Sequence, residues 1–254
     1  MKTLSPAISF ENLTLGYDRH PAVHHISGDV HQGALLAIVG SNGAGKSTLL
    51  KAMVGELRPL SGRINFHGHG KREIAYLPQV VDIDRSFPIS VFDCVAMGLW
   101  HEIGASGGLD LGCIERVAAA LDAVHLTELA GRAVGALSGG QFQRVLFARL
   151  LLQDAKIILL DEPFRAVDAR TITDLIGLIE RWHAEGRTIV AVLHDIDVVR
   201  RYFPETLLLA REVLAWGRTP DVLTPVNLEL SRRFHEGYDE QAAVCEHDEA
   251  RETA

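Results

Sequence analysis

The chain has 254 residues, 47% of them hydrophobic and 23% charged, with a formal net charge of −8. This is an ordinary globular composition, long enough for one large domain or two small lobes with a real core. A local basic patch aside, the acidic balance excludes an electrostatic footprint for nucleic acid. No apolar run approaches the roughly 20 residues that span a bilayer, so any membrane role must come through a partner.

In chain order, Met1 to Pro6 leads into a polar-interrupted segment, not the apolar core of a signal peptide. Residues 8–15 and 22–30 mix apolar and polar positions around turn signals, the pattern of an antiparallel strand pair. Leu35 to Val39 is a short apolar run ending in glycine and reads as a buried strand. Thr48 to Val54 reads as helix. Ile89 to Leu99 has helical spacing, and Gly104 to Gly112 is a small-residue loop. Ile114 to Leu129 repeats Ile114, Val117, Leu121 and Val124 at helical intervals, predicting an amphipathic helix. Gln141 to Leu152 is a further helix. Strand–helix alternation then returns: strand at Lys156 to Leu160, helix at Thr171 to Glu185, strand at Thr188 to Leu193. Short strands at Leu207 to Ala210 and Glu212 to Trp216 close the pattern. The tail from Glu236 is polar and aperiodic, so it reads as loose. Cys94, Cys113 and Cys245 are far apart and form no CxxC pair, which fits a reducing cytoplasm.

Chemistry concentrates at a few places. Gly40-Ser41-Asn42-Gly43-Ala44-Gly45-Lys46-Ser47 fits G-x-x-x-x-G-K-[ST] at every position, between a predicted strand and a helix that takes in Thr48. Glycines let backbone N–H groups converge on phosphate oxygens, and the helix N-terminus adds positive dipole. Lys46 supplies charge to the β- and γ-phosphates of a nucleoside triphosphate, and the Ser47 hydroxyl ligates Mg²⁺. Ile157 to Leu160 runs into Asp161-Glu162, placing two carboxylates at a strand end, where α/β sheets bind ligand. Asp161 would hold Mg²⁺, and Glu162 would polarise an attacking water as general base.

With these motifs and Leu137-Ser138-Gly139-Gly140-Gln141 between them, residues 8–235 resemble the ATP-binding cassette (ABC) ATPases. The resemblance implies an α/β fold: a P-loop NTPase (RecA-like) core with an antiparallel β subdomain and an inserted α-helical subdomain. It implies one nucleotide-binding domain over 1–235, with the core at about 1–80 and 155–235, the helical subdomain at about 81–154, and a flexible tail at 236–254. It further implies that Ser138, Gly139, Gly140 and Gln141 contact the γ-phosphate bound on a second copy; Ser138 also suits a plain helix N-cap. Gln79 resembles the glutamine that senses Mg²⁺ and the attacking water, and His194 the switch histidine on the γ-phosphate. Tyr17 resembles the aromatic that stacks on adenine. Asp168 resembles the aspartate that crosses the dimer interface, although Arg165, directly after Pro163-Phe164, departs from the family pattern.

The resemblance implies ATP and Mg²⁺ as cofactors and a homodimer sandwiching two ATP. It also implies integral-membrane permease subunits, an extracytoplasmic substrate-binding protein as an indirect partner, and a peripheral place on the cytoplasmic face of the cell membrane. Phe87 to Gly98, Pro163-Phe164 with Val167-Asp168, and Leu214 to Leu228 resemble zinc and manganese importer cassettes, and iron-chelate and cobalamin importers share some of these features. A non-transport ABC ATPase would carry a long coiled-coil insertion or a second cassette, and a non-hydrolysing regulator would not need Glu162 and His194. His67-Gly68-His69 and the tail residues His235, Cys245 and His247 read as solvated surface, with weak metal sensing by the tail as the competing reading.

Overall fold

The computed structural model describes residues 5–17, 20–79, 87–104, 107–165 and 167–236. Two long strands come first, β1 (Pro6–Tyr17) and β2 (His20–His31), followed by β3 (Leu35–Val39) and α1 (Lys46–Val54). Then come β4 (Ser61–Asn65) and β5 (Ile74–Leu77). Between β5 and the next strand lie α2 (Val91–Ala96), α3 (Trp100–Ile103), α4 (Leu111–Ala123) and α5 (Gly139–Leu152). The alternation resumes with β6 (Ile157–Asp161), α6 (Ala169–Ala184), β7 (Thr188–Val192) and α7 (Ile196–Tyr202). The described chain ends with β8 (Glu205–Ala210), β9 (Glu212–Arg218), α8 (Thr219–Val222) and α9 (Pro225–Glu236).

The strands form two sheets. A six-stranded sheet runs in the order β5-β6-β7-β3-β8-β9, parallel except for β9, and a three-stranded antiparallel sheet runs β2-β1-β4. The fully apolar runs of β3, β6 and β7 are buried at every position, as strands covered on both faces must be. Period-two alternation sends their side chains to opposite layers. Leu36, Ile38, Ile157, Leu159, Val190 and Val192 pack with α1 and the three-stranded sheet. Ala37, Val39, Ile158, Leu160, Ile189 and Ala191 share the other core with α2, α4, α5 and α6. In that second core Trp182 of α6 stacks on Phe147 of α5, with ring centroids 5.8 Å apart and 7° between planes.

Local chemistry decides where most helices begin. Ser90, Asp110, Asp168 and Asp195 each accept backbone N–H bonds at the starts of α2, α4, α6 and α7. Ser138 opens α5 with a full capping box, its hydroxyl accepting from Gln141 N while Gln141 Oε1 accepts from Ser138 N. α1 differs: its N-cap is Gly45 in the left-handed region, with no side chain on its free amides.

Several expected boundaries move. The glycine loop ends at Asp110, because that carboxylate caps α4 and draws Leu111 and Gly112 into the helix. The helix expected to reach Leu129 stops at Ala123, and the following apolar residues continue through turns, with His125 at φ 58°. β4, β5 and the helices after β7 are additional elements whose short or polar sequences show little periodicity.

Candidate functional site

The loop after β3 turns sharply over the end of the sheet. A Cβ at Gly40 would lie 2.1 Å from Leu209 O, and one at Gly45, whose φ is 91°, would lie 2.1 Å from Val23 Cγ2. Only glycine fits such close approach, and at Gly45 the left-handed backbone favours it as well. The turn aims the free N-terminus of α1 into a cleft of about 740 Å³. Asn42, Gly43, Gly45, Lys46, Ser47, Thr48, Gln79, Glu162, Arg165 and His194 line that cleft, with Ala22 from β2.

Lys46 is buried, and its ammonium donates to the carbonyls of Gly40 at 2.9 Å and Ser41 at 2.7 Å. Burial pulls its pKa below the ordinary lysine value, against the carboxylates of Glu162 and Asp161, which push it up. Ser47 Oγ donates to Asp161 Oδ1 at 3.1 Å, so the hydroxyl and the carboxylate meet below the cleft. Asp161 is 2% exposed, and burial raises its pKa despite the Ser47 hydrogen bond and the Lys46 charge.

Glu162 follows directly in the left-handed region at φ 50°, its amide held by Val192 O at 3.1 Å. A non-glycine residue there is strained, and such strain clusters at functional sites. His194 Nε2 donates to Glu162 Oε1 at 2.7 Å. Burial pushes the Glu162 pKa up, but hydrogen bonds from His194 and Gln79 and the charges of His194 and Arg165 outweigh it, leaving the carboxyl below its ordinary value.

Predicted residues thus converge on one cleft: Lys46 and Ser47 from the start of α1, Gln79 from beyond β5, Glu162 after β6 and His194 from just beyond β7, with Asp161 beneath them, bonded to Ser47. Parallel strands place their C-terminal ends side by side, which is why residues far apart in sequence meet there. Gly40, Ser41 and Ala44 support the loop without lining the cleft. Tyr17 ends β1 with its ring 48% exposed and also lies off the lining. Ala22 and Arg165 line the cleft without having been expected there; Ala22 carries no sequence signal, while Arg165 was visible as a departure from pattern.

Ser138, Gly139, Gly140 and Gln141 line a different surface. Among the described residues none of them borders the cleft, and Ser138 and Gly139 are exposed. Gly140 sits against Asp168: a Cβ on it would come within 3.3 Å of Asp168 Oδ2. Asp168 accepts from Thr171 N at 3.0 Å and from Thr171 Oγ1 at 2.8 Å. Gln143 Nε2 donates to Pro163 O at 2.8 Å, tying α5 to the segment that leaves Glu162.

The profile of the ABC transporter family matches residues 23–165. The chain belongs to the ABC transporter ATPases. It binds ATP and is an ATP hydrolase. It is 37% identical over 92% of its length to the manganese transport system ATP-binding protein MntB of Halalkalibacterium halodurans, covering 94% of that protein. It is 38% identical over 86% of its length to the zinc transport system ATP-binding protein TroB of Treponema pallidum, covering 84% of it. Among solved structures it resembles a metal-chelate type ABC transporter in an inward-facing conformation, with a TM-score of 0.80 and 33% identity over 91% of this chain and 90% of that one. Among the described residues no helix of this ATPase is long and apolar enough to cross a membrane.

The histidine pair between β4 and β5 gathers no metal set: His67 Nε2 donates to Ser9 Oγ at 2.6 Å, and His69 lies 3.5 Å from Glu73. Among the described residues no group of three or more His, Cys, Asp or Glu is placed to hold a metal ion. Cys245 and His247 lie outside the described residues, as does the side chain of His235.

Proposed function

We propose that this chain is the ATP-hydrolysing subunit of a divalent-metal importer, for manganese or zinc, acting on the cytoplasmic face of a membrane through separate permease subunits. The observation that carries the hydrolytic reading is the cleft, where a lysine, a hydroxyl–carboxylate pair and a histidine-held glutamate meet at a free helix N-terminus. The metal reading is supported by the manganese and zinc systems named for its relatives.

In this reading the amides of residues 40–48 and Lys46 hold the phosphates of ATP, with Lys46 exchanging the Gly40 and Ser41 carbonyls for phosphate oxygens. Ser47, Asp161 and Gln79 are the residues that would hold Mg²⁺. A hydroxyl and a carboxylate facing one another suit a hard cation that takes few protein ligands. Bound there, Mg²⁺ neutralises charge developing on the transferred phosphoryl group. Glu162 accepts a proton from the attacking water while His194 fixes one of its oxygens and faces the γ-phosphate. Tyr17 offers an exposed ring for stacking on the base.

The site is half-built within one chain, because Ser138, Gly139, Gly140 and Gln141 do not line the cleft of their own molecule. A second copy, turned so that its α5 N-terminus caps the first copy's phosphates, completes it, with Asp168 on the same face. The core at 1–80 and 155–235 then carries the nucleotide, and the helical unit at 81–154 meets the permease. Phe87, Met97, Trp100, Leu111 and Ile114, all exposed, give that unit the apolar surface a partner would cover. The binding protein outside the membrane acts only through the permease.

A second reading, an importer of metal chelates, is favoured by the structural likeness to a metal-chelate type transporter. The test is to purify the chain with its permease, rebuild the complex in vesicles and measure phosphate release. Stimulation by manganese or zinc presented on the outer side is expected. Stimulation by iron chelates or cobalamin alone moves the assignment to the second reading, and failure to co-purify any membrane protein overturns both.

A further inference from the structure

Arg165 lies at the rim of the cleft with its side chain 62% exposed, yet it does not reach freely into solvent. Its amide donates to Glu162 O at 3.1 Å, closing a turn that brings the side chain back beside the glutamate. Pro163 within that turn is buried, and its carbonyl is held by Gln143; Phe164 packs on the core. The turn therefore presents Arg165 to the cleft as part of a fixed frame. Arg165 Nη1 stands 3.8 Å from Glu162 Oε2, while His194 holds Oε1 at 2.7 Å. Among the described residues this is the ion pair Arg165 makes.

We propose that Arg165 is a positioning residue for Glu162, holding the second carboxylate oxygen so that the base keeps one orientation toward the attacking water. His194 and Gln79 hold the carboxylate by hydrogen bonds, and a cation beside Oε2 adds a further direction that limits its rotation. The arginine acts on the base and not on the phosphates, so it governs turnover more than ATP affinity. This rests on the reading of Glu162 as general base.

The experiment compares phosphate release by the full-length wild type, R165A, R165K and E162Q over a range of Mg-ATP, with thermal melts of each. The expected result is a kcat about 5-fold lower in R165A, the size of a partly exposed ion pair, with KM changed less than about 2-fold. R165K, which keeps the charge, returns kcat to within about 2-fold of wild type. Unchanged kcat in R165A, a rise confined to KM, or equal losses in R165A and R165K would each overturn the proposal. E162Q separates the two levels: if it hydrolyses ATP like wild type, the reading of Glu162 itself has failed.

Discussion

Replacing Arg144 by Ala tests how the signature helix is tied to the rest of the molecule. Arg144 lies one turn into α5, and Nη2 donates to Asp174 Oδ2 at 2.6 Å and to Thr171 Oγ1 at 3.4 Å, while Nη1 donates to Val124 O at 3.3 Å. Its side chain is 15% exposed, against 37% for Asp174. A charge-assisted hydrogen bond contributes about 1.5–3 kcal/mol. Loss of Arg144 leaves Asp174 open to water, so the cost should sit low in that range, near about 2 kcal/mol with the packing of the arginine stem included. The reverse change, Asp174→Ala, strands the more buried guanidinium and should cost more, about 3 kcal/mol. In a chain of this size a loss of about 2 kcal/mol lowers Tm by about 4–8 °C. Urea melts of R144A, D174A and the double variant, followed by tryptophan fluorescence, give the coupling directly, with about 1–2 kcal/mol expected. A coupling below about 0.5 kcal/mol, or R144A less stable than D174A, would refute the claim that this half-buried pair clamps α5 to α6. If the clamp also holds Gly140 against Asp168, R144A should lose ATPase activity at temperatures where it stays folded.

Glu162→Gln should keep ATP affinity but abolish most phosphate release, and gel filtration with ATP should then show an accumulated dimer; a monomeric, fully active variant contradicts the half-site arrangement. Gly45→Ala combines a φ of 91° with a Cβ 2.1 Å from Val23 Cγ2, so equilibrium dialysis should show ATP binding lost even where circular dichroism shows a folded chain. Trp182→Ala removes a 1% exposed indole stacked on Phe147 and should cost about 3–5 kcal/mol in a urea melt. Cys94 is fully buried, and burial raises its thiol pKa, keeping the neutral, unreactive form. At pH 8 iodoacetamide should therefore spare Cys94 until the chain unfolds, as peptide mapping would show.

The local chemistry of the site was legible in the amino-acid order because each motif states its own physics. A glycine-spaced loop ending in Lys46-Ser47, and an apolar run ending in Asp161-Glu162, need only their neighbours to be recognised. The apolar runs of β3, β6 and β7 likewise announce buried strands, and Ser138 announces a helix start. Polar or short segments said less. β4, with exposed Gly62 and Arg63, and the brief β5 are strands because β1 and β6 pair with them, a decision no local pattern carries. Only the tertiary structure set Gln79, Glu162 and His194 around one point, since sheet order, not sequence distance, brings the ends of β5, β6 and β7 together. It also left Ser138 to Gln141 outside the lining of that cleft and placed Arg165 in it. Spacing along a chain carries no direction across a sheet; the packing of α5 against α6 and the turn at Pro163 supplied it.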